Sequence, residues 1–168
     1  MIQKITPFLW FEKDAEKAAD YYVSVFKNAK IHNIVRYPKA AEGVSGQKAG
    51  SVMTVDLEIE GMRLQFLNGG KVPGFDIISS AVSFVVNCKT QAEIDYFWKK
   101  LSAVPEFEQC GWCRDKFGVT WQIVPTVLRK FLSDPDKSKV ERVTKAFLPM
   151  KKFNIAGLEK AYDGGEEK

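Results

Sequence analysis

Apolar and polar positions alternate along the chain in patterns that predict strands and helices. Residues 5–11 (ITPFLWF) form a short apolar run rich in strand formers, and residues 14–26 repeat apolar side chains at helical spacing. Residues 51–61 then alternate strictly between apolar and polar, and a corner at Glu60–Gly61 turns the chain into MRLQFLN. The first half is therefore predicted to form a strand, a helix and a hairpin of two strands, with a further strand before residue 38.

The second half opens in the same way. Residues 81–88 (AVSFVVNC) predict a strand, and Thr90 to Glu93 has the S/T-x-x-E form of a capping box before a helical apolar stripe. An offset of about 75 residues aligns DYY at 20–22 with DYF at 95–97, as an internal repeat would. Residues 107–114 and 119–125 predict two more strands. The predicted fold class is α+β, with paired βαβββ modules at 1–75 and 76–126, the second abbreviated after its helix.

Three short helices are predicted after the second module, in a C-terminal extension over residues 127–168. Pro135 and Pro149 separate the three apolar stripes. The extension is rich in lysine and arginine, and it accounts for much of the net charge of +4. Because no aromatic stacking pattern or nucleic-acid reading motif accompanies this charge, we interpret it as a solvated helix surface and expect no nucleic-acid partner.

Length and composition predict a single folded domain. The chain has 168 residues, of which 45% are hydrophobic and 27% charged, as in ordinary globular proteins. No segment approaches the roughly 18 apolar residues of a membrane span, and the amino terminus lacks a cleavable signal. We therefore expect a cytoplasmic protein with no membrane partner, whose three cysteines are reduced.

The spacing of Cys110 and Cys113 is that of thiol redox centres and metal hooks. If residues 107–114 form a strand, these two Cα atoms lie about 10 Å apart, whereas a disulfide needs less than about 7 Å. No amphipathic helix follows Cys113 to lower a thiol pKa. A structural zinc site needs four ligands, and only Cys88 and His32 remain. The pattern thus indicates neither a redox centre nor a zinc site.

Several motifs resemble those of one known family, in the order expected of it. The resemblance is carried by KITPFLWFEKDAEKAADYYVSVFKNAKI, SVMTVDLEIEG, FLNGG, AVSFVVNC, DYFWKKLS, QCGWCRDKFGVTWQIVP and TVLRKFLSDPD. The chain resembles the PhnB-like branch of the glyoxalase/bleomycin-resistance (vicinal oxygen chelate) superfamily, also described as a 3-demethylubiquinone-9 3-methyltransferase domain. The resemblance implies that the paired modules curl into a cup-like mixed sheet, commonly as a homodimer.

Metal-using members of that superfamily hold a divalent ion with one side chain from each of four strands. On this sequence those positions fall at or beside Pro7, Gln65, Ala81 and Gln122. Proline and alanine have no side-chain ligand atom, and a glutamine amide is a weak neutral ligand. We therefore expect no metal and no other cofactor. Cys113 also departs from the family pattern at its position.

Period-two alternation predicts which side chains line the cup. Together with residues of the first strand and of the segment before Arg114, these side chains give a predicted lining that is apolar with a few neutral hydrogen-bonding groups. Such a lining suits a weakly polar organic molecule. Its candidates are Leu9, Phe11, Arg63, Gln65, Leu67, Ser83, Val85, Cys110, Trp112, Thr120 and Gln122. The alternative is that the glutamines satisfy each other across a closed core.

Other polar motifs are given structural interpretations. His32 is the only histidine and has no partner for a relay. Residues 68–70 (NGG) lack the following helix of a phosphate loop and are predicted to form a flexible rim. Asp56, Glu58 and Glu60 alternate beside a hairpin corner, which is typical of a solvated strand face. No residue is assigned a catalytic role.

Two functional hypotheses follow. The first is a metal-independent protein that binds a small organic ligand, as drug-sequestering relatives do. The second is a lyase or isomerase-like enzyme of the superfamily that acts on a small metabolite, with Gln65, Gln122 or Cys110 assisting and a weakly held metal as an option. Methyl transfer is disfavoured, because no G-x-G turn for S-adenosylmethionine occurs anywhere in the chain.

Overall fold

Each half of the chain folds around a mixed sheet in which the first strand pairs parallel with the last. The computed structural model describes residues 3–72 and 81–165. These fall into two compact units, Met1–Ser79 and Ser80–Lys168, here called unit 1 and unit 2. The unit boundary lies close to the predicted module boundary at 75/76.

Unit 1 contains a four-stranded sheet and one long helix. Its elements are β1 (Phe8–Phe11), α1 (Ala15–Val25), β2 (Ala29–Arg36), a 3-10 turn (Lys39–Ala41), α2 (Glu42–Ser45), β3 (Val52–Ile59) and β4 (Met62–Asn68). The strand order is β1-β4-β3-β2, with β1 parallel to β4 and the other pairs antiparallel. The helix and hairpin predicted for this half are confirmed. The predicted loop around Gly43 and Gly46 instead contains the short helix α2.

The core of unit 1 forms where α1 packs on the sheet. Small side chains at helical spacing bring the helix close, and Tyr22 inserts edge-on toward the ring of Phe66, with centroids 5.8 Å apart. Phe11 also packs against the Phe66 ring, with centroids 5.0 Å apart. The helix begins where the buried Asn68 side chain accepts a hydrogen bond from Ala15 N at 2.8 Å. This bond satisfies one of the free N–H groups of the first turn.

Unit 2 contains a three-stranded sheet and four helices. Its elements are β5 (Phe84–Cys88), α3 (Gln91–Leu101), a 3-10 turn (Pro105–Phe107), β6 (Trp112–Arg114), β7 (Thr120–Pro125), α4 (Thr126–Leu132), α5 (Lys137–Phe147) and α6 (Ile155–Asp163). The strand order is β5-β7-β6, with β5 parallel to β7. The Thr90 capping box is confirmed, since Thr90 Oγ1 accepts from Glu93 N and the Glu93 carboxylate accepts from Thr90 N.

The three C-terminal helices are also confirmed, and polar bonds hold them together. Tyr162 of α6 stacks on Phe131 of α4, with centroids 4.2 Å apart, and its hydroxyl donates a hydrogen bond to Asp134. Arg142 of α5 donates to the carbonyls of Ala161 and of Tyr162, each at 2.9 Å. A cation thus closes the carboxyl end of α6, where the helix dipole is negative.

The predicted strand over residues 107–114 is wrong in its first half. Only Trp112–Arg114 form β6, while Cys110 and Gly111 have positive φ values of 49° and 81°. The pair forms a tight turn in which Trp112 N donates to Gln109 O at 2.8 Å. The argument that Cys110 and Cys113 point to opposite faces of one strand therefore fails, although both are free thiols in the structure.

The two sheets are separate, and closure of the modules into one cup stays a prediction. Within residues 3–72 and 81–165, none of the helices is long and apolar enough to cross a bilayer.

Candidate binding faces of the two sheets

Each sheet has one buried face and one face that is partly exposed, here called the open face. In unit 1 the register places Phe8 beside Gln65 and Trp10 beside Leu67 on the open face. Leu9 and Phe11 align instead with Phe66 and Asn68, on the buried face. Phe8 is 53% exposed, whereas Phe11 is 3% exposed, so the first strand presents the opposite residues from those predicted.

A row of aligned side chains, polar except for Phe8, runs across the open face of unit 1. Phe8 aligns with Gln65, Gln65 with Asp56, and Asp56 with Asn33. Gln65 Nε2 donates a hydrogen bond to Asp56 Oδ1 at 2.7 Å. Asp56 was predicted to be solvated, but its carboxylate holds the central glutamine of the sheet.

The neighbouring row is an ion cluster. Glu58 Oε2 lies 3.0 Å from His32 Nε2 and 3.2 Å from Arg63 Nε. The hydrogen bond from His32 is the main cause that lowers the pKa of Glu58 below its ordinary value. A register shift between Ile31 and Asn33 places His32 at a bulge in the edge strand β2. The charge of Glu58 is therefore balanced within the cluster. The side chain stays 29% exposed, in keeping with the solvated strand face that the sequence predicts.

Residues 68–70 support Trp10. The indole Nε1 donates to Gly70 O at 2.9 Å, and a Cβ on Gly69 would lie 2.6 Å from Trp10 Cη2. Only glycine lets the backbone approach the ring so closely. The preceding Asn68 is anchored in turn, since it donates to Val52 O at 3.1 Å. The segment predicted to be a flexible rim is a packed support for an aromatic side chain.

The open face of unit 2 repeats the arrangement around a second glutamine. Val85, Gln122 and Trp112 lie side by side across β5, β7 and β6. Val85 is 49% exposed and Trp112 36% exposed. Gln122 Nε2 donates a hydrogen bond to Ser83 Oγ at 2.9 Å. Four predicted lining residues of the second module are therefore close neighbours.

Two other predicted lining residues are placed differently. Thr120 has the right alternation, but it is 3% exposed and its Oγ1 is buried without a hydrogen-bond partner. Cys110 lies in the turn before β6, where its thiol donates to Leu148 O at 3.4 Å. It therefore contacts the C-terminal extension and does not extend the strand row. Arg63, Gln65 and Leu67 alternate along β4 on the open face, as predicted.

The glutamines satisfy neighbours within their own units. Each amide NH₂ donates to a residue of its own unit, Gln65 to Asp56 and Gln122 to Ser83. The alternative interpretation, in which the two glutamines satisfy each other across a closed core, stays a prediction. The missed residues are Phe8 and Trp10. Their signal was present in the sequence as the alternation of β1, but period two alone leaves open which set faces outward.

The positions implied for a divalent metal do not fit one. Pro7 contributes a backbone carbonyl to Gln65 N at 3.0 Å, and neither Pro7 nor Ala81 has a side-chain donor. Across the described ranges no group of three or more His, Cys, Asp or Glu side chains is placed to hold an ion. Divalent cations prefer carboxylate or imidazole ligands, and the four implied positions provide neither.

Cys88 and Cys113 are buried and unreactive. Burial raises the pKa of the Cys88 thiol to about 12 and that of the Cys113 thiol to about 12. A thiol must ionise to act as a nucleophile or metal ligand, and these two remain protonated at neutral pH. They therefore serve as small packed side chains in unit 2.

Comparison with known proteins agrees with this geometry. The family model described as 3-demethylubiquinone-9 3-methyltransferase matches residues 3–124. The chain belongs to this family. The PhnB protein from Bacillus cereus is 30% identical, with a TM-score of 0.59, and the match covers 74% of this chain and 100% of that one. Protein PA1353 from Pseudomonas aeruginosa shares the fold at 19% identity and a TM-score of 0.51, over 74% of this chain and 98% of its own. No match is found among the curated proteins.

The 3-demethylubiquinone-9 3-methyltransferase family match ends before the C-terminal extension. Residue 124 is the last one matched, and α4 begins at Thr126. The matched residues contain the two sheets with α1 and α3. Helices α4–α6 lie beyond the matched residues.

Proposed function

We propose that this protein binds a small, weakly polar organic molecule on the open faces of its sheets, without a metal ion. The observation that carries the proposal is the repeated row in which a glutamine amide on the inner strand lies beside an exposed apolar side chain. Phe8 adjoins Gln65 in unit 1, and Val85 and Trp112 adjoin Gln122 in unit 2.

The chemistry of these rows favours binding over catalysis. Small-molecule sites combine apolar and aromatic surface with a few placed polar groups, and both rows have this composition. The Gln65 amide is oriented by the Asp56 carboxylate before a ligand arrives, and the Gln122 amide is hydrogen-bonded to Ser83. Preorganised groups lose less conformational freedom on binding.

Methyl transfer does not form part of the proposal, although the family carries that name. Among the described strands each sheet has a single parallel pair, and the segment that follows β1 is Glu12, Lys13 and Asp14. A nucleotide-type cofactor uses a glycine-rich turn at this place, between a parallel strand and a helix. The turn after β1 has charged side chains instead.

The proposal is tested by titrating the protein with Nile red, an uncharged probe whose fluorescence rises in apolar surroundings. Phe8→Ala and Trp112→Ala each remove exposed aromatic surface, and we expect each to weaken binding by roughly five- to thirtyfold, from about 1–2 kcal/mol of lost apolar contact. Val44→Ala and Tyr96→Ala are matched controls, since both side chains are exposed and neither lies on an open face. Absence of binding, or equal losses in the controls, would contradict the proposal.

A further inference from the structure

The orientation of the Gln65 amide is fixed by its partner. The two ends of a glutamine amide are alike in shape, so its orientation is normally assigned from the hydrogen-bond network. Here the atom 2.7 Å from Gln65 belongs to the Asp56 carboxylate, which accepts hydrogen bonds and, when ionised, donates none. The Gln65 atom that faces Asp56 must therefore be the NH₂ group, and the carbonyl Oε1 is at the other end.

The Gln65 Oε1 atom accepts no hydrogen bond from the part of the chain that the structure describes, residues 3–72 and 81–165. It is also not among the polar atoms sealed away from solvent. In the neighbouring row, Glu58 contacts His32 and Arg63. Phe8 aligns with Gln65 on the adjoining strand and is 53% exposed. The open face of unit 1 thus combines aromatic surface with one oriented acceptor.

We propose that Gln65 is the specificity-determining residue of this face and selects ligands that donate a hydrogen bond. The ligand class is a flat, uncharged molecule with a phenolic O–H or an aryl N–H, whose ring lies against Phe8 while the donor meets Gln65 Oε1. This inference rests on the proposed function and narrows its ligand class. An ether or ester of the same shape would leave Oε1 without a partner, and an unmade hydrogen bond costs binding free energy.

In unit 2, Gln122 does not select for ligands that donate a hydrogen bond. Its neighbour Ser83 has a hydroxyl, which both donates and accepts, so the amide of Gln122 keeps two acceptable orientations. The two equivalent glutamines therefore differ in selectivity because one faces a carboxylate and the other a hydroxyl. Gln122 supplies the internal control for Gln65.

The test compares two probes with the same ring system, 2-naphthol and 2-methoxynaphthalene, in ligand-observed NMR titrations. The first has an O–H donor, and in the second a methyl group replaces that hydrogen. We expect the unmodified protein to bind 2-naphthol roughly three- to tenfold more tightly than 2-methoxynaphthalene, the usual range for one hydrogen bond. Equal affinities would overturn the selection by Gln65 and leave the proposed binding function standing. If neither probe binds, both proposals fail.

Variants then assign the preference to one amide. Gln65→Met keeps the length of the side chain without the acceptor, and we expect the preference for 2-naphthol to disappear while 2-methoxynaphthalene still binds. Asp56→Asn removes the acceptor-only partner, so Gln65 is free to turn and the preference should fall while binding persists. Gln122→Met removes an amide of the other binding row, so it can weaken the binding of both probes, but the ratio of their two affinities should stay the same. A preference that survives Gln65→Met, or that Gln122→Met abolishes, would overturn the inference.

Discussion

Units 1 and 2 share a plan and complete it differently. In both, the first strand pairs parallel with the last, and one helix follows the first strand. Unit 1 adds the eight-residue strand β2 at the sheet edge, next to β3. At that point of the chain unit 2 has a 3-10 turn, Pro105–Phe107, and Ala103 N donates a hydrogen bond to Arg114 O of β6. The comparison shows that one module tolerates the loss of a strand when other backbone takes over part of its contacts.

The C-terminal extension supplies those contacts at one tight turn. Cys110 N donates to Met150 O at 2.7 Å, and Gly111 N donates to Lys151 O at 2.8 Å. Phe153, 2% exposed, packs against Gly111. The corresponding corner of unit 1, Glu60–Gly61, has nearly the same dihedral pair, with φ values of 48° and 83°, but nothing covers its glycine. Two turns with nearly the same φ values thus have different roles because their surroundings differ.

The largest expected effect comes from removing the side chain that covers the unit 2 turn. Phe153→Ala should lower the free energy of unfolding of unit 2 by about 3–5 kcal/mol, because a buried aromatic ring is lost and a cavity remains. Amide hydrogen exchange read out by mass spectrometry measures this unit by unit, and peptides of unit 1 should keep their protection.

Leu148→Ala is the matched control for Phe153. Leu148 lies in the same extension and is 52% exposed. Its replacement should change stability by less than about 0.5 kcal/mol, as is usual for surface positions. Equal losses in both variants would show that the extension is not attached through Phe153.

The two turn glycines offer a smaller and more direct comparison. Alanine at either position adopts a left-handed conformation that costs about 1–2 kcal/mol. At Gly111 the new Cβ would also lie 2.8 Å from Phe153 Cδ2 and 2.9 Å from Ile123 O, whereas at Gly61 nothing lies within 4 Å. Gly111→Ala should therefore be more destabilising than Gly61→Ala by about 1–3 kcal/mol, the usual cost of overpacking. Denaturant unfolding of both variants measures the difference, and equal costs would contradict the packing described for the turn.

The smallest effect is a pH dependence of the extension. The hydrogen bond from Tyr162 is the main cause that lowers the pKa of Asp134, and the same bond raises the pKa of Tyr162. A lowered carboxyl pKa adds stability above the unfolded value near 3.9, and this is lost as pH falls through the folded pKa. A raised phenol pKa adds stability below the unfolded value near 10, and this is lost as pH rises through the folded pKa.

Tyr162→Phe removes the hydrogen bond that shifts the pKa values of Asp134 and Tyr162, and it keeps the ring stacked on Phe131. Thermal unfolding of α4–α6 is measured from pH 3 to pH 11 by hydrogen exchange or circular dichroism, and each stability curve is normalised at pH 7. The unmodified protein should lose relative stability earlier than the variant at both ends of this pH range. Identical normalised curves would show that the Tyr162–Asp134 bond does not contribute.

The elements of the fold follow from local patterns, which is why most of them are predictable. The Thr90 capping box, the alternation of β3 and the three C-terminal apolar stripes are each specified by neighbouring residues. The turn at Cys110 was missed because cysteine is not a usual residue at positive φ, and the conformation is fixed by distant carbonyls at 150 and 151.

The candidate site is less predictable, because it depends on register. Alternation in β1 groups Phe8 with Trp10 and Leu9 with Phe11, and only the pairing with β4 decides which group faces out. The partners of Gln65 and Gln122 likewise come from strands that are distant in the chain or loops before them. Neither the carboxylate opposite one glutamine nor the hydroxyl beside the other follows from spacing.

The two hydrogen bonds that join residues 150 and 151 to the Cys110–Gly111 turn are formed by main-chain atoms alone. Amino-acid replacements at positions 110, 150 and 151 leave the peptide N–H and C=O groups unchanged, provided that they do not introduce proline. The C-terminal extension can therefore accumulate substitutions over evolutionary time and stay attached to the turn. The two positions that remain constrained are Gly111 and Phe153. Related chains with this addition should therefore be recognised by that pair of residues more readily than by overall likeness of their tails.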